Sequence, residues 1–305
     1  MRLAVAWLVL LSAAAPSHAQ VEAPSRLTLI WENDLFAGTD RHYTNGLRIE
    51  LAGRLDPRAL PTWLGGDEAE WGLSVGQRIY TPERLDEAAR VADDRPYAGW
   101  SYLALSVTCR GASFAWEDRL ELTLGVVGPA SGAQATHELA HDLFRSEAPR
   151  GWRHQLRDEP TVSLAYQASA ELTRGEVGGL TYDVRPTLGI SVGNVATFAS
   201  LGAAARVGLG VPDATGAPPP PVRLYFTAAA EVRLVGYDVF LDGSLLHDGG
   251  RRVSRQRVVA DLTAGVTLAI QDRVSLTYTH TLRTTEFGGQ VGRDQFGSIS
   301  LAITW

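Results

Sequence analysis

From Val258 to Ile270 every second residue is apolar: Val258, Ala260, Leu262, Ala264, Val266, Leu268 and Ile270 share one phase. Successive side chains of an extended strand point to opposite faces, so such a run reads as a strand with one apolar and one polar side. The pattern recurs. Leu224, Phe226, Ala228, Ala230, Val232 and Leu234 alternate with a phase carrying Thr227, Glu231 and Arg233. Val274, Leu276 and Tyr278 alternate with Ser275, Thr277 and Thr279, and Ile299, Leu301, Ile303 and Trp305 with Ser298, Ser300, Ala302 and Thr304. Similar runs lie at 27–33, 44–52, 70–80, 99–108, 119–127, 160–172, 180–193, 199–209 and 237–246. Many are near the roughly ten residues that a tilted strand needs to cross a bilayer. A soluble sandwich also alternates, but with shorter strands. A polar face on so many strands suits a polar lumen inside a lipid-facing wall. The expected fold is all-β, a transmembrane antiparallel β-barrel of about 12 strands.

The rest of the chain fits that class. Arg2, the apolar stretch Leu3 to Ala15 and the small residues of Ser17-His18-Ala19 read as a secretory signal peptide over 1–19, cut after Ala19. The apolar stretch is too short for a spanning helix and ends at Pro16. Residues 20–305 are then one barrel domain. A mean hydropathy of -0.05 is what alternating strands produce, because the two phases cancel in any window. The single Cys109 excludes an internal disulfide framework, and a net charge of -6 gives no encouragement to a nucleic-acid partner. All the fixed cations are Arg, as genomic composition alone would explain. A chain ending on an aromatic residue in the apolar phase looks like the terminal strand of outer-membrane barrels. Pro218 to Pro221, within 210–222, reads as an exposed loop. Residues 131–146 (SGAQATHELAHDLFRS) read as a helix, with Leu139, Leu143 and Phe144 at helical spacing, lying in the lumen or over one end.

Three clusters carry chemistry. In the first, an apolar strand runs into Asn33 and Asp34 and a polar loop returns the chain at Thr44; a hairpin would bring these close. Amide, carboxylate and hydroxyl can hold a hard cation or support an oxyanion, and the same residue types also make a plain polar turn. The second is Asp93-Asp94-Arg95-Pro96-Tyr97-Ala98-Gly99-Trp100, where Arg95 would bind a phosphate or pair with Asp94 at the rim. The third, His137-Glu138-Leu139-Ala140-His141, matches H-E-x-x-H, with two His on one helical face for zinc and a Glu as base. Glu159 or Glu171 would be the third ligand, although no downstream helical motif supports either.

The stretches WENDLFAGTDRHYTNGLRI (31–49), DDRPYAGW (93–100), the helix ending at His141 and GWRHQLRDEP (151–160) resemble, in order, the outer-membrane lipid A 3'-O-deacylase family. That resemblance implies a twelve-stranded barrel in the Gram-negative outer membrane, a helix near its outer end, and a calcium-dependent esterase site between helix and wall. It implies His141 as general base, Asp34 as calcium ligand, Asn33 and Thr44 as oxyanion supports, and Glu147 orienting His141, with Asp142 and Glu138 as alternatives for that role. Arg95, with Tyr97 in the same motif, would meet the phosphorylated sugar. The expected partner is lipid A, or lipopolysaccharide, and the expected state a monomer. His137 stands where the family is expected to carry Gln, which creates the zinc-like string and leaves zinc open as the alternative cofactor. Two other readings follow: a zinc peptidase using His137, Glu138 and His141, and a non-catalytic channel or structural barrel.

Overall fold

In the computed structural model, the described residues are 21–39, 41–64, 66–85, 87, 93–111, 116–144, 149–212, 220–247 and 252–305. Residues 1–19, read from the sequence as a signal peptide, Glu147 and residues 213–219 of the 210–222 loop lie outside them. The strands are β1 (Val21–Asn33), β2 (His42–Leu55), β3 (Glu68–Thr81), β4 (Ala98–Gly111), β5 (Trp116–Val127) and β6 (Glu159–Ala170). They continue with β7 (Thr173–Val177), β8 (Leu180–Gly193), β9 (Ala196–Leu209), β10 (Val222–Asp238), β11 (Val258–Ile270), β12 (Val274–Arg283) and β13 (Asp294–Thr304). The helices are α1 (Ala133–Phe144) and the single turn α2 (Val239–Asp242).

Each strand pairs antiparallel with its sequence neighbour, except that β7 is a short extension paired only with β8. The sheet closes where β1 meets β13, from Arg26↔Thr304 to Asn33↔Gly297, and where β6 meets β8. Twelve strands therefore form a closed barrel. Closure leaves none of these twelve strands as a sheet edge, the condition for crossing hydrocarbon. An even strand number puts β1's start and β13's end at one end of the barrel. The connections 34–41, 82–97, 128–158, 239–257 and 284–293 lie at the other, three of them longer than any at the first end.

The alternation read from the sequence is the alternation of the wall. Val258, Leu262, Leu268 and Ile270 of β11 are exposed outward, while Val259, Thr267 and Ala269 are buried. The lumen is polar and cross-braced. Arg48 pairs with Glu50 and Glu121, each at 2.7 Å, and Arg119 with Glu50 at 2.8 Å. Arg233 and Arg283 share Asp261 at 3.0 and 2.9 Å. Between these layers lies a cavity of about 510 Å³, lined by Tyr43, Arg78, Glu231 and Phe240 among others.

One expected strand is absent. Instead of continuing through 237–246, β10 ends at Asp238, whose side chain accepts from the Phe240 backbone N–H at 2.8 Å and starts α2. Phe240 then stacks on Tyr80 with ring centroids 4.0 Å apart, in a buried cluster with Tyr43, Trp100 and Phe296. Burying an aromatic side chain of this kind contributes on the order of 1.5–3 kcal/mol, enough to outweigh continued alternation. Apolar spacing over 239–241 therefore reflects a plug in the lumen rather than a face toward lipid.

Candidate active site

At the end of β1 the chain breaks into a 3-10 turn, Asp34–Ala37, because Asn33 caps it: its side-chain oxygen accepts from the Leu35 N–H at 2.7 Å. Gly38, in the left-handed region at φ 73°, ends the turn. Asp34 is thereby held 1% exposed, one carboxylate oxygen accepting from the Arg41 backbone N–H. Across the hairpin Asn33 sits opposite Asn45. A register irregularity between Tyr43 and Asn45 turns the buried Thr44 toward β3, where its hydroxyl meets Thr81 at 2.7 Å. Asn33 and Asp34 thus close β1 while Thr44 opens β2, with Asn33 across from Asn45 and the Thr44 hydroxyl on Thr81. In the same loop, His42 at φ 63° shares a 2.6 Å hydrogen bond with Asp294, tying the first connection to the last.

Helix α1 docks on β3 and β4 through one face. Ala133, His137 and His141, at i, i+4 and i+8, are buried, while Glu138, Leu139, Asp142 and Leu143 face outward. The docking is close. A Cβ built on Gly99 of β4 would lie 2.1 Å from the Ala133 Cβ and 2.4 Å from the Ser131 hydroxyl. Gln77 and Ser101 both donate to the Ser131 carbonyl, at 2.9 and 2.7 Å, pinning the helix start to the wall. The Nε2 atoms of His137 and His141 face each other at 3.0 Å, with the rings edge to face. The indole N–H of Trp152, itself 2% exposed, donates to His137 Nδ1 at 3.2 Å. Burial, reinforced by His141, pushes the His137 pKa down to about 3, which favours the neutral ring. Glu138 is exposed and accepts from Gln134 at 2.9 Å, one turn back along the helix surface.

Arg95 and Tyr97 are both buried. Arg95 is 1% exposed, 3.1 Å from Glu286, and its guanidinium lies 4.6 Å over the Tyr80 ring. Tyr97 packs against Trp152 and Ala133, with its hydroxyl 3.3 Å from the Leu85 carbonyl. Both side chains are covered, as are those of Asp34 and His141. Glu159, weighed as a zinc ligand, is fully buried and engaged by Asn194 and Ser244. Glu171 pairs with Arg174 at the opposite barrel end. Among the described residues no group of three or more His, Cys, Asp or Glu side chains is gathered to hold a metal ion. Sequence reasoning missed Trp152 and Gly99; both lie in quoted stretches, but nothing in the residue order says that an indole reaches back 15 positions to a histidine.

No curated protein matches the chain. Among solved structures, LpxR from Salmonella typhimurium superposes with a TM-score of 0.77 at 18% identity, covering 92% of this chain and 100% of that one. The beta domain of the Bordetella autotransporter BrkA reaches a TM-score of 0.46 at 10% identity, covering 93% and 100%. A family model described as "Outer membrane protein LpxR" matches residues 3–305. With a closed twelve-stranded wall and a family match over nearly its whole length, this chain belongs to the LpxR family of outer-membrane proteins.

Proposed function

We propose that the protein is an outer-membrane esterase that removes the 3'-linked acyl (acyloxyacyl) group of lipid A by hydrolysis. The observation that carries this reading is a buried imidazole, His141, on a helix docked over β3, at the barrel end that also holds Asn33, Asp34 and Thr44. Family membership supports it. The end bearing the long connections is the outward one in barrels of this kind, which faces the site to the outer leaflet where lipid A resides. An ester at a membrane surface needs a base near neutral pKa, and histidine is the side chain suited to that task.

In this reading His141 takes the proton of the attacking water while the hydroxyl forms a bond to the acyl carbonyl. The tetrahedral oxyanion is supported by the amide of Asn33 and the hydroxyl of Thr44. Collapse breaks the acyl–oxygen bond, and the proton on His141 passes to the departing sugar hydroxyl. Glu147 would orient His141. Arg95, with Tyr97, would meet the phosphorylated sugar. The oxygen-only set of Asn33, Asp34 and Thr44 fits a hard cation, and the buried Asp34 carboxylate would be calcium's charged ligand. Calcium, when bound there, would supply positive charge for the developing oxyanion. The working unit is a monomer with no nucleic-acid partner.

The test is to incubate the detergent-extracted protein with hexa-acylated lipid A and record product masses with calcium, with zinc and with chelator. Loss of one 3' acyl group with calcium, reduced at least about 10²-fold by His141→Ala, is the expected result. No mass change under any condition, in protein whose heat-modifiable gel shift shows it folded, would overturn the reading.

A further inference from the structure

His137 has an acceptor role on one side and a partner on the other, and together these fix its protons. Trp152 Nε1 can only donate, so the lone pair that receives it is on His137 Nδ1, at 3.2 Å. His137 is neutral, with its pKa pushed down to about 3, so its single N–H must be on Nε2. That N–H points at His141 Nε2, 3.0 Å away, which therefore accepts. A neutral His141 accepting at Nε2 carries its own proton on Nδ1. One indole thus sets the tautomer of two imidazoles in series.

We propose that His137 is a positioning residue, locked by Trp152 as the Nε2–H tautomer to keep the Nε2 lone pair of His141 as the base, and that it is not a metal ligand. The second half follows from the first. A neutral histidine that binds a metal through Nε2 must carry its proton on Nδ1, where it would collide with the indole N–H. The H-E-x-x-H string is therefore disabled as a zinc site by a donor 15 residues downstream. Glu138, turned to the surface and bonded to Gln134, is likewise not placed as that motif's base. The polarity of the pair also suits catalysis. A water that displaces the direct 3.0 Å contact meets an N–H on the His137 side and a lone pair on the His141 side. It accepts from the first and gives its proton to the second, keeping a lone pair for the ester carbonyl. An amide side chain at 137 can supply the same donor, whereas an alkyl side chain cannot.

This inference rests on His141 as the base, but the test separates the two. Full-length protein carrying ¹⁵N-histidine is examined in detergent micelles by long-range ¹H–¹⁵N correlation, with its seven histidines assigned by substitution. His137 is expected as the Nε2–H tautomer, and Trp152→Phe is expected to abolish that preference. Zinc content after incubation with zinc alone and desalting should be the same in the native protein and His137→Leu. Toward lipid A, His137→Leu should lose on the order of 10²-fold in kcat with KM held, and His137→Gln should recover most of it. Finding His137 as the Nδ1–H tautomer, or one equivalent of zinc lost with His137→Leu, would overturn the proposal. So would equal kcat in the Leu and Gln variants. Should Trp152→Phe fail to fold, the tautomer in the native protein still decides. Should the native protein leave lipid A intact, the esterase reading falls while the tautomer and zinc results still judge His137.

Discussion

Glu286 shows how a single buried group holds the site's surroundings in place. Burial alone would raise its pKa, but Arg283, Arg95 and Arg233 outweigh that and hold the carboxyl below the usual glutamate value. A carboxyl depressed on folding adds stability that is present above its unfolded pKa and lost as pH falls through the folded one. The 3.1 Å Arg95–Glu286 clasp should therefore persist through neutral pH and loosen only in acid, below the ordinary glutamate range. Glu286→Gln leaves Arg95 buried and uncompensated, a loss of about 3–5 kcal/mol. Limited proteolysis of the 82–97 connection against pH checks this: the variant should be cleaved faster at neutral pH, and its acid dependence should flatten. A native connection equally protected at low and neutral pH would contradict it. Asn33, Asp34, Thr44 and His141 stand out in the sequence because their residue types and order carry the family resemblance. Glu286 and Trp152 were not, since each acts through a partner, 191 and 15 positions away, that only the closed barrel supplies.

At the scale of elements, the helix matters through its fit to the wall. Ala133 lies against Gly99 so closely that a single added methyl would overlap it. Gly99→Ala should therefore push the start of α1 off β4 and carry His137 and His141 with it, while the β-sheet stays paired. A displacement of about 1 Å at a catalytic group can cost about 10²-fold. We predict a loss of that size in lipid A hydrolysis, with an unchanged heat-modifiable shift; retention of full activity would show that α1 is not held there. The helix itself was legible, expected over 131–146 and found over Ala133–Phe144, but Leu139 and Leu143, whose spacing announced it, lie on its exposed face, and the buried face is Ala133, His137 and His141. The turn α2 was not. Val239, Phe240 and Leu241 are apolar and follow directly on the alternating run of β10, and only the Asp238 cap and the aromatic cluster in the lumen distinguish plug from strand.

For the whole molecule, the barrel separates two solvents, and each face makes its own prediction. The outer face is lipid-directed: Leu105, near the middle of β4, is 57% exposed. Leu105→Arg at that depth should cost about 2–4 kcal/mol, read as a lower urea midpoint for folding into vesicles. The inner face is braced by Arg–carboxylate pairs from Arg48–Glu121 up to Arg283–Asp261 and capped by α2. Inserted in planar bilayers, the protein should show no steady open-pore conductance; large stable steps would instead favour a channel. This architecture was the most legible feature of all, because a period of two over a dozen segments leaves few other ways to hide the apolar phase.

The central claim is that water, activated at His141, attacks the acyl carbonyl of a lipid ester. The most direct test is to run the reaction on lipid A in H₂¹⁸O and weigh both products. The account predicts one ¹⁸O in the carboxylate of the released fatty acid, none in the sugar hydroxyl left behind, and no release with His141→Ala. Label in the sugar hydroxyl, or labelled acid released unchanged by the His141→Ala variant, would contradict it.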